Sequence, residues 1–143
     1  MTMSPAKNEA WVSLARGLGK LRAAWPAGGW SWDGRLACVA SAFGAEFEAD
    51  ARAATVLGLP DEWTPASLAT APERLRTLAA RFGDVRQGQS LFTGGPLEGL
   101  FAFGLWWPWG NGQTVSLRVG LADVDPSREP TPQFCELFKV SMD

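Results

Sequence analysis

Residues 101–121, FAFGLWWPWGNGQTVSLRVGL, carry no charge before Arg118 and hold two apolar runs on either side of a Gly-Asn-Gly turn. An uncharged run of this length raises the question of a membrane-spanning helix, which needs roughly 20 uniformly apolar residues. Gly104, Pro108, Gly110, Asn111 and Gly112 interrupt any such helix. The β-branched and aromatic residues flanking the turn specify a β-hairpin instead.

Hairpin register follows from which pairing separates an apolar face from a polar one. A two-residue loop sets Trp107 against Ser116 or Thr114, a poor match. A three-residue loop, Gly110 to Gly112, places Trp107 opposite Val115, Leu105 opposite Leu117, Phe103 opposite Val119 and Phe101 opposite Leu121, with Gly112 at positive φ. The reverse face then carries Trp106 among Arg118, Ser116 and Thr114, an aromatic ring beside a charged fork on an otherwise polar surface.

The N-terminal half reads as helical. Trp11, Leu14, Leu18, Leu21 and Trp25 recur at separations of three and four over residues 8–25, and Pro26 stops the pattern. A Gly- and Pro-rich loop carrying Trp30 and Trp32 follows. From Asp33 a second helix is expected, burying Leu36, Val39, Phe43, Phe47, Ala54 and Leu57 and ending at Gly58 and Pro60. Thr64 and Pro65 open a short turn. A third helix is expected from a Thr70–Glu73 capping box, with Leu75, Leu78 and Phe82 inward, Arg74 and Arg81 solvated, and Gly83 closing it in the left-handed conformation.

After Gly83 the texture turns to strands: a first in VRQGQSLF, the hairpin, a loop over 123–132, and a fourth strand in QFCELFKV. A chain of 143 residues suits one core. The expectation is a single two-layer α+β domain over 1–143, with N-terminal helices (8–83) packed as one layer on a mainly antiparallel C-terminal sheet (84–143).

Charge and chemistry narrow the function classes. A formal net charge of −2 gives no dominant positive field, so nucleic acid is disfavoured as a partner. The start, MTMSPAKNEA, lacks the basic-then-apolar plan of a secretory signal, and two cysteines allow one disulfide at most, so a cytoplasmic location without a transmembrane segment is expected. The chain has no histidine, which removes Ser-His-Asp and Cys-His catalysis. Cys38 and Cys135 read as small buried side chains. Glu46 and Asp50, four apart on the expected second helix, could bring two carboxylates together for acid–base work, a spacing that solvated faces share. Asp123, Asp125 and Glu129 lack the ligand plan of a calcium loop, and GLGK and TGGP lack the spacing of a phosphate loop, so no metal or cofactor is expected.

What remains is recognition: a non-enzymatic protein-binding accessory or inhibitory protein, such as a bacterial immunity protein, meeting another protein through Trp106, Arg118, Ser116, Thr114, Trp30 and Trp32. The alternatives are a small-molecule or carbohydrate-binding protein that stacks its ligand on Trp and, third, a carboxylate-based enzyme.

Overall fold

The computed structural model describes residues 3–142. Helix α1 (Pro5–Ala24) starts where Ser4 accepts a hydrogen bond from the Lys7 amide, with Pro5 at the first helical position. It buries the stripe read from the sequence, Trp11, Leu14, Leu18 and Leu21, and ends at Trp25 ahead of Pro26. The chain continues through β1 (Ser31–Asp33), β2 (Cys38–Gly44), one 3-10 turn (Ala45–Phe47), α2 (Glu48–Gly58), β3 (Asp61–Trp63), α3 (Pro65–Leu68) and α4 (Glu73–Arg81). It closes with β4 (Ser90–Gly94), β5 (Ala102–Pro108), β6 (Thr114–Leu121) and α5 (Thr131–Leu137).

The strands form one six-stranded sheet in the order β1-β2-β6-β5-β4-β3, every neighbouring pair antiparallel. Its edges, β1 and β3, are three residues each, too short to template pairing with another chain. On one face α1, α2 and α5 enclose Leu18, Leu21, Phe43, Trp106, Leu117, Val119 and Phe134; on the other α3 and α4 cover Leu91, Phe103 and Leu105 with Leu68, Leu75 and Leu78. The α+β class read from the sequence holds, and to the expected helical layer the fold adds a second one on the opposite face.

Two glycines let the first layer form. A Cβ on Gly58 would stand 2.9 Å from the Gly17 carbonyl oxygen, so the α1 and α2 backbones touch where neither has a side chain.

Three local expectations are corrected. The helix expected from Asp33 begins only at Glu48, because residues 38–44 form β2, with Val39, Ser41 and Phe43 buried at alternate positions. Val39 and Phe43 are four apart, a spacing common to the helical and extended periods. QFCELFKV lies in α5 and the turn after it, where Pro132 occupies the first turn and Phe134, Cys135 and Phe138 bury one side. The proposed division into helices over 8–83 and strands over 84–143 therefore fails at both ends, since β1, β2 and β3 lie in the first part and α5 in the second. The capping box sits at α3, between Thr64 and Ser67, while α4 is preceded by Pro72 and not capped by Thr70. Gly83 has φ +84°, as expected.

The hairpin exists, but its register is one residue from the expected one. Trp107 pairs with Ser116, Trp106 with Leu117, Leu105 with Arg118 and Phe103 with Gly120. The loop contains four residues, Gly110 to Gln113, bounded by the Trp109 amide donating to the Thr114 carbonyl at 2.8 Å. Asn111 Oδ1 accepts from the amides of Gln113 (2.8 Å) and Thr114 (3.1 Å), completing the loop, and Gly112 has the expected positive φ of +69°. A polar reverse face was the wrong criterion. With helices on both sides, residues 101–106 are buried without alternation, as strands covered on both faces are.

Candidate functional site

The register decides which tryptophan meets Arg118. Trp106 is 1% exposed and belongs to a run of aromatic contacts through the α1-side core: Phe92 to Trp106 at 6.0 Å, Trp106 to Phe43 at 5.4 Å, Phe43 to Trp25 at 5.3 Å and Trp25 to Trp30 at 4.8 Å. It is core, not surface. Trp30 packs between Trp25 and Phe138, and Trp32 in β1 pairs with Val39 on the same side, both half-buried. None of these three rings shares a face with Arg118.

Trp107 does. Because Thr114, Ser116 and Arg118 are alternate residues of β6, they share the α4 side of the sheet, and the pairing of Trp107 with Ser116 puts that ring beside them. The Arg118 guanidinium lies 5.1 Å from the Trp107 ring centre, and its Nη1 donates to Ser116 Oγ at 3.1 Å. Its Nε, buried without a hydrogen bond, stands 3.5 Å from Asp33 Oδ2. Asp33, brought in by the β1–β2 pairing, is read from the sequence as the start of a helix and not as a site residue; its signal would have been an extended reading of residues 31–44.

On this side α3 and α4 fully bury Leu91, Phe103 and Leu105, whereas Ala42 is exposed and Ala40, Trp107, Thr114 and Arg118 are half-buried. The uncovered part of the sheet is thus a shallow surface of small side chains with one ring and one guanidinium standing on it. The guanidinium is restrained on three sides, by Trp107, Ser116 and Asp33, so little side-chain freedom remains to be lost on contact.

Arg74, expected in solvent, is a clamp. Its Nε donates to Asp123 Oδ2 at 3.0 Å and its Nη1 to the carbonyls of Leu97 and Gly99, with the guanidinium 4.9 Å from the Phe101 ring centre. Arg81 is exposed as expected. A second polar network lies on the α1 side, where Arg52 Nη1 and Ser90 Oγ each donate to Glu62 Oε2 at 2.7 Å. Burial alone would raise the Glu62 carboxyl, but the hydrogen bonds from Ser90 and Arg52, with the Arg52 charge, leave it below the ordinary carboxylate range.

Glu46 stands in the 3-10 turn and Asp50 in the first turn of α2, both exposed. Cys38 and Cys135 are free and buried, and burial raises both thiols, Cys38 to about 12. Asp125 is fixed in a turn by Ser127, whose amide and hydroxyl both donate to Oδ1. Among the described residues no three His, Cys, Asp or Glu side chains are grouped to hold a metal ion, and no helix is long and apolar enough to cross a membrane. No protein-family model, curated protein or solved structure matches the chain.

Proposed function

We propose that this chain is a cytoplasmic, non-enzymatic accessory or inhibitory protein, the class that includes bacterial immunity proteins, and that it binds another protein through the uncovered part of the sheet around Trp107 and Arg118. The observation that carries this reading is the half-exposed Trp107 ring with the Arg118 guanidinium 5.1 Å from it, set among Ala40, Ala42 and Ser116. Trp and Arg are the side chains most often found at energetic centres of protein interfaces. Small neighbours let a partner approach the sheet closely, and the restrained guanidinium offers directional donors to a partner's carboxylate or carbonyl oxygens. The two unpaired cysteines suit a reducing compartment.

The test is capture by a photo-crosslinker placed at Ala42, followed by titration of the captured protein against wild type, W107A and R118A. Loss of affinity by about 30-fold in W107A, with the fold retained, is the expected result for an interface centre. A partner that binds W107A and wild type equally removes this surface from the reading. Crosslinks to a scatter of proteins with no preferred one do the same.

A further inference from the structure

A cleft of about 630 Å³ opens beside the β1–β2 turn, between that turn, the C-terminal end of α4 and the loop after β6. Its size is in the range of small-molecule and peptide-end sites. Half-buried Phe82, Leu36 and Leu121 form the floor, backed by the buried Phe103 ring 5.3 Å from Phe82. Arg35 enters from the turn and Arg81 from the end of α4.

Both arginines are loosely held. Arg35 Nε is 3.6 Å from Asp33 Oδ1 with its side chain 87% exposed, and Arg81 Nη1 is 3.8 Å from Asp123 Oδ1. Each of those carboxylates also serves a second arginine: Asp33 faces Arg118 at 3.5 Å, and Asp123 receives Arg74 at 3.0 Å. Four guanidinium groups therefore share two carboxylates. The other acid on the rim, Asp125, accepts from Ser127 and faces Arg128 at 3.7 Å. Arg35 and Arg81, each 3.6 Å or more from the carboxylate it shares with another arginine, thus keep donors free above the apolar floor. The walls are preformed: Ala37 and Asp123, both lining the cleft, hold left-handed backbone at φ 54° and 56° without being glycine, a conformation that persists only where the surroundings enforce it.

We propose that this cleft binds a carboxylate carried beside an apolar group of aromatic size, the apolar body on Phe82, Leu36 and Leu121 and the carboxylate between Arg35 and Arg81. Either a small aryl-alkanoic acid or the C-terminal residue of a polypeptide supplies that chemistry. The site stands on residues other than Trp107 and Ser116, so it holds or fails independently of the protein-binding surface.

The experiment follows backbone amide resonances of the ¹⁵N-labelled protein during titration with 3-phenylpropionate, with 3-phenylpropanol, and with an acetylated tripeptide ending in Phe as free acid and as amide. Saturable shifts confined to residues 34–37, 82 and 121–125 with an acid, absent with the alcohol and the amide, support the site. Saturation by 3-phenylpropionate identifies a small-molecule ligand, and saturation by the peptide acid alone identifies a chain terminus. The double variant R35Q/R81Q, whose spectrum reports its own fold, is expected to weaken binding at least about tenfold, because charge-assisted hydrogen bonds are lost. Linear, non-saturating shifts, equal responses to acid and alcohol, or unchanged affinity in the folded double variant overturn the proposal.

Discussion

The guanidinium of Arg52 lies 4.8 Å from the ring centre of Trp106, closing the α1-side core where the sheet nears its β3 edge. Glu62 holds it there, and the same carboxylate oxygen receives Ser90. Replacing Arg52 with Ala therefore removes a cation from a ring face and leaves Glu62 without its charged partner. The pair is more than a third exposed, so solvent screening limits the loss to about 1 kcal/mol. Since the Glu62 carboxyl lies below its ordinary range, its contribution is present above the unfolded carboxyl's titration and is lost as pH falls through the folded value. Urea denaturation at neutral and acid pH checks this: the gap between wild type and R52A narrows on acidification. A gap that widens in acid contradicts the assignment.

Neighbouring tryptophans give opposite expectations. Trp106 is sealed between the sheet and the α1 layer, so Trp106→Ala is expected to cost about 3 to 5 kcal/mol. Trp107, half-buried at the margin of the other face, is expected to cost less than half as much. Denaturation midpoints of the two variants decide the matter. The reverse order would mean that the hairpin register is shifted by one residue, the alternative favoured by reading one face as polar.

That register shows where sequence reading stops. Helix α1 was legible because its apolar residues lie on one side and Lys20 and Arg16 on the other, a pattern only one period explains. The hairpin was legible from Gly112 and the strand-forming residues flanking it. Its pairing was not, because Leu105 and Trp106 are both buried on opposite faces and alternation carries no information in a doubly covered strand. The candidate surface was therefore half legible: Thr114, Ser116 and Arg118 share a face in either register, while the shift replaces Trp106 with Trp107. The place of Asp33 beside Arg118 was missed with β2, since the two join only through the pairing of β1 with β2 and β2 with β6. The Val39–Phe43 spacing concealed β2 as a helix, and QFCELFKV, rich in apolar residues, concealed α5 as a strand.

The contact between α1 and α2 predicts unequal effects at two glycines. Ala at Gly58 drives its Cβ to 2.9 Å from the Gly17 carbonyl oxygen, and backbone cannot move aside as a flexible side chain does. A loss of about 1 to 3 kcal/mol is expected. Ala at Gly19 meets only Leu137 Cδ1 at 3.9 Å, ordinary contact, and gains about 0.5 to 1 kcal/mol from helix propensity. Thermal unfolding of G58A and G19A is expected to shift in opposite directions. Equal shifts would mean that the two helices are not in backbone contact.

Cys38 gives an alkaline signature. Burial, reinforced by the Asp33 charge and opposed by Arg118 and Arg81, pushes its thiol up to about 12 from an ordinary value of 9.0. Between these values the unfolded chain releases the proton and the folded chain keeps it, so the unfolded state is favoured as pH rises. Stability contributed by the protonated thiol is complete below about 9 and declines toward about 12, with a slope of at most about 1.4 kcal/mol per pH unit. The chain has no tyrosine or histidine, and titrations common to wild type and a Cys38 variant cancel in their difference. Chemical denaturation of wild type and C38A across pH 8 to about 10.5 isolates the Cys38 term as the difference in slope. In parallel, a thiol-specific reagent at pH 8 is expected to label Cys38 only as fast as the protein unfolds. Parallel slopes in the two proteins, or labelling faster than unfolding, would place this thiol in contact with solvent and reopen it as a nucleophile.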